Sequence, residues 1–311
     1  MTETAAEKRK KILEDAKKAR IAARKAEAEK KAKEEAEKKK ARDEQARLRW
    51  PITRLLRSQY FIKGAVIVNV TTIDQALLCQ EVGVTAISAY DKSVQASIVL
   101  RMSSPESIKR YIGAVLIPVI ANVRIGHLSE AKIMESIGVN LIDESDMLTS
   151  TEVPYIRKRE LGIPTICAVT SLQECLLRIQ EGALILRVKG TREGGNITEA
   201  LKYLLAIKTA IAGMRADPPS DTTLYADPSI FKPLLNEVVR TGHLPVPLFG
   251  SGGIHTPSDV AIMMENGCDG VFVDTAVFLG LDPETHLKAI MQATKDYKNT
   301  SKMCELSNYF I

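Results

Sequence analysis

The sequence predicts an α/β protein, a (β/α)8 barrel, preceded by a long charged α-helical arm. Three observations predict it: eight short apolar runs rich in β-branched residues, stretches of helical period between them, and a first fifty residues unlike all that follows. The strand candidates are 65–70 (AVIVNV), 86–90 (AISAY), 115–121 (VLIPVIA), 139–142 (VNLI), 165–169 (TICAV), 184–188 (LILRV), 246–249 (VPLF) and 270–273 (GVFV). Helical patterns occupy 73–82, 129–137, 171–181, 197–212 and 257–266. Eight strands alternating with helices over about 250 residues favour the closed barrel over a doubly wound open sheet, the competing arrangement. The polar, proline-bearing stretch 213–245 reads as an insertion before the seventh strand.

Residues 1–50 form the arm and 51–311 the body. The arm holds 18 Lys/Arg against 11 Asp/Glu and the body 25 against 27, so the arm is the source of the net charge of +5. From Ala5 to Arg49 there is no Gly or Pro, and the helix formers Ala, Lys, Glu and Arg dominate. Acid–base pairs at helical spacing, such as Glu27 with Lys30 and Lys31 or Glu34 with Lys38, support a helix. Large apolar residues such as Ile12, Leu13, Ile21 and Leu48 are too sparse for a coiled-coil seam. Pro51 after Trp50 ends the segment, and Trp50 and Tyr60 are expected to pack its end. The arm reads either as a solvated tail or as a tether for an acidic partner surface: an assembly, the cytoskeleton or RNA. Its 11 acids speak against a transit peptide. The lack of aromatics among its bases speaks against stacking on single strands.

The five cysteines form no CxxC pair, and His127, His243, His255 and His286 have no ligand spacing, so no metal site is expected. No resident cofactor is expected either. No apolar run reaches the roughly 20 residues of a membrane span, and the N-terminus lacks a signal peptide's apolar segment. The expectation is a soluble intracellular chain, cytoplasmic by default.

A barrel of this kind places function at the C-terminal ends of its strands. The residues to inspect are therefore Asn69, Tyr90, Asp91, Asn122, Arg124, Asp143, Glu144, Thr170, Lys189, the turn 250–253, Asp274 and Thr275. GSGGIHTP (250–257) after the seventh strand, opening a helix at Thr256-Pro257, suits a phosphate cradled by backbone N–H groups. Gly252 and Gly253 belong to it, and Gly190 opens a second glycine-rich turn, GTREGGN (190–196).

Several stretches carry a resemblance: RIGHLSEAKIMESIGVNLIDESDMLT (124–149), LRVKG (186–190), GGNITEAL (194–201), LPV (244–246) and SGGIHTPSDVAIMMENGCDGVFV (251–273). From about Lys63 to Ser307 the body resembles the synthase subunit family of the glutamine-dependent pyridoxal 5′-phosphate (PLP) synthase; the arm lies outside it. The resemblance implies a (β/α)8 barrel in hexameric rings. It implies an activity that joins a pentose 5-phosphate, a triose phosphate and ammonia into PLP, with the ammonia supplied by a docked glutaminase. Two lysines carry that chemistry, one ending the third strand and one the sixth, assisted by an aspartate ending the first.

Carried onto this sequence, the pattern breaks. The aspartate falls on Asn69 in KGAVIVNV and the third-strand lysine on Asn122 in ANVRIGH; only the sixth-strand lysine survives, as Lys189. An Asn cannot act as a general base at neutral pH, and an amide cannot form a Schiff base. Tyr155 stands at a histidine of the family, Thr170 at an arginine, and Ser97-Ile98 at a glycine pair. Asp274-Thr275 replaces the Gly-Ser that helps hold phosphate, and a carboxylate repels a dianion. Only four residues follow CELS (304–307), so little of the family's C-terminal tail is expected. The sequence therefore reads as a PLP synthase-like pseudoenzyme, a non-catalytic scaffolding or regulatory subunit of an oligomer of its own or related barrels, attached through its arm and not expected to bind the glutaminase. The alternatives are an active PLP synthase, or a barrel enzyme of altered chemistry using Lys189 with Asp143, Glu144, Asp146 and Asp274. Lys189 is otherwise expected to pair with Asp143 or Glu144.

Overall fold

The computed structural model describes residues 63–90, 100–150, 154–191, 196–216 and 228–308. The chain divides into two units, Met1–Arg49 and Trp50–Ile311. The arm, Trp50, Tyr60, Asp91, Ser97 and Ile98 lie outside the described residues, as do 192–195 of the second glycine-rich turn.

Eight parallel strands close into a barrel in sequence order: β1 (Ala65–Val70), β2 (Ala86–Ala89), β3 (Val119–Arg124), β4 (Leu141–Ser145), β5 (Thr165–Val169), β6 (Ile185–Val188), β7 (Leu248–Gly250) and β8 (Gly270–Val273). The described helices are α1 (Ile73–Val82), α2 (Pro105–Ala114), α3 (Leu128–Ser136), α4 (Leu172–Glu181), α5 (Thr198–Ala216), α6 (Pro228–Thr241), α7 (Pro257–Glu265), α8 (Pro283–Asp296) and α9 (Thr300–Ser307). Several start just beyond a strand because a hydroxyl caps them: Thr72 for α1, Ser171 for α4, and Thr256 for α7 in a reciprocal capping box with Asp259.

Proline delays two of the strands that begin later than their apolar runs. Pro118 and Pro247 have no N–H to give a ladder, so β3 starts at Val119 and β7 at Leu248. β3 and β4 then continue into polar residues, ANVR and DES, whose inward members line the barrel's mouth. Where described, the stretch 213–245 before β7 is largely helical. α5 runs on to Ala216, 217–227 lie outside the described residues, and α6 follows, with Leu234, Leu235 and Val238 buried at helical spacing.

Strand alternation splits the core in two. Outward residues such as Val68, Ile87, Val123 and Leu186 pack under the helices. Inward residues Ala65, Ile67, Ala86, Ile120, Leu141, Ile166, Ile185, Phe249 and Phe272 fill the barrel's lower interior. Phe249 and Phe272 meet edge to face, with centroids 5.8 Å apart. Gly270 makes this possible, because a Cβ there would lie 2.5 Å from the Phe249 ring and equally close to the Ala65 carbonyl. Among the described residues, no helix is long and apolar enough to cross a membrane.

Phe249→Ala is expected to cost roughly 3–5 kcal/mol, because the barrel interior cannot collapse around the lost ring. Urea denaturation measures it, and a loss under 1 kcal/mol would contradict this packing.

Candidate active site at the barrel mouth

One inward position beyond the apolar interior, each strand or its end presents a residue of different character: Asn69, Ser88, Asn122, Asp143, Ala168, Arg187, Ser251 and Asp274. Seven of the eight are polar, which no apolar core would tolerate unless they satisfied one another.

Two networks do so. In the first, Asn122 is held from both sides: its Nδ2 donates to Ser88 Oγ at 2.9 Å, and its Oδ1 accepts from the Tyr90 hydroxyl at 3.0 Å. In the second, Arg187 spans to β4. Its Nε donates to Asp143 Oδ2 at 2.9 Å and its Nη2 to Asp146 Oδ1 at 2.6 Å, with longer bonds to Ser145 and Ser251. Ala168, inward on the strand between them, leaves room for the guanidinium, which also stands 5.9 Å above the Phe272 ring. Burial opposes the charge on Arg187, but the Asp143 and Asp146 carboxylates outweigh it and raise its pKa. Burial pushes Asp143 up to about 6 against the opposing pull of Arg187, and burial raises the Tyr90 hydroxyl. Between the networks lies a cavity of about 20 Å³, bordered by Asn69, Tyr90, Asp143, Arg187, Gly252 and Asp274 among others.

The remaining expected residues fall elsewhere. Lys189 is exposed just past β6, and among the described residues no carboxylate pairs with it. The expected ion pair is wrong because Arg187 already takes Asp143, and Lys158 takes Glu144. Glu144 faces outward, away from the mouth. It accepts from the N–H groups of Gly126 and Ile156 at 2.8 Å each and pairs with Lys158 Nζ at 2.6 Å. Lys158 also reaches Glu181 at 2.7 Å and lies near Tyr155, on whose other contact, 3.3 Å from the ring centroid, the Arg178 guanidinium sits. These residues bind the β4–β5 connection to the barrel wall, so Glu144 is structural. Arg124 and Thr170 are bound to Glu130 and Glu174, at the starts of α3 and α4. His127 accepts from the Glu130 N–H as the cap of α3.

The glycines have a packing reason of their own. A Cβ on Gly252 would lie 2.4 Å from the Cα of Gly190, and one on Gly253 would lie 2.3 Å from the Asn196 carbonyl. Both have φ near +80°, so the two glycine-rich turns close directly on one another. Asp274 turns its Oδ1 onto the Thr275 N–H at 2.7 Å and caps the short 3-10 helix Thr275–Phe278. Ser88 and Lys158 stand in no motif, and the signal for Ser88 is strand alternation, two residues on from the inward Ala86. No group of three or more His, Cys, Asp or Glu side chains among the described residues is disposed to hold a metal ion.

The polar cluster lies across the C-terminal ends of eight parallel strands, the face on which (β/α)8-barrel enzymes carry their sites, so the class is that of the (β/α)8 barrels. The chain matches the SOR/SNZ family over residues 55–251, and residues 226–305 also match the thiazole biosynthesis protein ThiG. It is 41% identical over 254 residues to the pyridoxal 5′-phosphate synthase subunit PDX1.1 of Arabidopsis thaliana, covering 79% of this chain and 82% of that one. It is 41% identical over 256 residues to the PdxS subunit of Natranaerobius thermophilus, covering 79% and 85%, and 40% identical over 260 residues to the subunit pyroA of Emericella nidulans, again 79% and 85%. The chain belongs to the SOR/SNZ family, the family of the pyridoxal 5′-phosphate synthase subunits.

Two outcomes follow from these contacts. Lys158→Met strands the buried Glu144 carboxylate and is expected to cost roughly 3–5 kcal/mol, with part regained in Lys158→Met/Glu144→Gln. Chemical denaturation of the three proteins measures it, and equal stability of single variant and wild type would contradict the network. The folded-state pKa of Asp143, about 6, lies above its ordinary 3.8, so the folded protein holds that proton more tightly. The resulting stability is full below about pH 4 and lost as pH rises through 6. Wild type measured against Asp143→Asn should therefore lose on the order of 2–3 kcal/mol between pH 4 and pH 7; a flat difference would show that Asp143 titrates normally.

Proposed function

We propose that this chain is a non-catalytic member of the PLP synthase subunit family, a structural or regulatory subunit in an oligomer of its own or related barrels. The observation that carries the reading is Asn122. At the end of β3, where the resemblance calls for an amine, stands an amide with its nitrogen committed to Ser88 and its oxygen to Tyr90. An amide lone pair is delocalised and adds to no sugar carbonyl. Asn69, at the inward end of β1, has no titrating group to move a proton. Asp274 brings a carboxylate to the cavity edge where a phosphate would need donors. The +7 arm supports attachment to an acidic surface, its salt dependence being the signature.

The second reading is an active synthase. The names of the relatives, all synthase subunits at about 40% identity, favour it, and so does an exposed amine, Lys189, at the rim. The two readings part in one experiment. The purified chain is incubated with ribose 5-phosphate and an ammonium salt and read by intact mass. The non-catalytic reading expects no covalent adduct; an adduct that disappears in Lys189→Ala would overturn it. Co-expression with an active relative separates the two assemblies in native mass spectra: mixed oligomers support a subunit among related barrels, strictly separate ones leave only an oligomer of its own, and a monomer would remove the subunit role.

A further inference from the structure

Beside Asn122 a second residue, Tyr90, borders the cavity at the mouth. Tyr90 follows β2 and sits at the inward position after Ser88. Its backbone is fixed on both sides: its N–H donates to the Val70 carbonyl at 2.9 Å, and its carbonyl accepts from the Tyr111 hydroxyl at 3.4 Å. Its ring lies beside β3, the neighbouring strand, so that its hydroxyl bonds Asn122. The cavity left beside it, about 20 Å³, holds about one water, whereas small-molecule sites are roughly 300–1,000 Å³.

We infer that Tyr90 is the specificity-determining barrier of this barrel: its ring excludes aldose phosphates from the end of β3, so that an amine restored at position 122 would still not meet a sugar. The inference rests on the non-catalytic reading and gives that reading a second, separable cause. With Tyr90 in place, a lysine ammonium at 122 would lie against the two hydroxyls that now hold the amide. Without the ring, the space above Ser88 and Asn122 joins the cavity and opens to the mouth.

The reaction that tests this is imine formation. The lysine nitrogen adds its lone pair to C1 of the open-chain aldose, protons move from nitrogen to oxygen, and water leaves as the C=N bond forms. Cyanoborohydride then delivers hydride to carbon, and solvent a proton to nitrogen, fixing the product. Asn122→Lys and the double variants Asn122→Lys/Tyr90→Phe, Asn122→Lys/Tyr90→Leu and Asn122→Lys/Tyr90→Ala are treated with ribose 5-phosphate and cyanoborohydride, and residue 122 is mapped by peptide mass. The single variant and the Phe double, which keeps the ring, should label at 122 no more than exposed lysines do. The Leu and Ala doubles should label at least about tenfold more. Strong labelling of Asn122→Lys alone overturns the inference, as does a folded Leu or Ala double that stays unlabelled; should the Ala double fail to fold, the Leu double decides. Labelling of wild type at Lys189 about tenfold above the other exposed lysines would defeat the non-catalytic reading and leave the comparison at 122 standing.

Discussion

The buried guanidinium of Arg187 sets the terms for the upper half of this barrel. A charge this deep is tolerable only if its donors are taken, and Asp143, Asp146, Ser145 and Ser251 take them. That requirement explains why β4 runs on into polar residues, why β5 contributes only Ala168 between them, and why Asp143 stays buried beside a carboxylate neighbour. Below this level the interior is apolar, and Phe249 and Phe272 meet in it edge to face.

The same arrangement separates two kinds of polar residue that look alike in a sequence. Asp143 and Glu144 are adjacent, yet alternation sends one into the mouth and the other under the β4–β5 connection, where it holds Lys158. Gly252 and Gly253 read as a phosphate cradle, and their missing side chains make room for another backbone. The two networks at the mouth satisfy their own buried polar groups, Asn122 with Ser88 and Tyr90, and Arg187 with Asp143 and Asp146.

The sequence made much of this legible, for reasons that can be named. β1, β5 and β8 lie where their apolar runs end, since no proline or polar continuation blurs them. β3 and β4 were displaced because hydrophobic periodicity stops where the barrel interior turns polar, and α6 hid behind a proline-bearing composition. Asn122 and Asn69 stood out through the resemblance. Ser88 and Tyr90 did not combine with Asn122 in the sequence, because their contact spans 32 to 34 residues and depends on strand register. Lys189 was paired wrongly for a related reason: one residue type at a strand end says nothing of which cation reaches the carboxylate first.

The central claim is that this mouth performs no synthesis. Its most direct test is turnover: purified chain with ribose 5-phosphate, glyceraldehyde 3-phosphate and an ammonium salt, with PLP followed by its absorbance beside the Arabidopsis relative under the same conditions. No PLP above the heat-denatured control is the predicted result; steady PLP formation by this chain alone would contradict the claim outright.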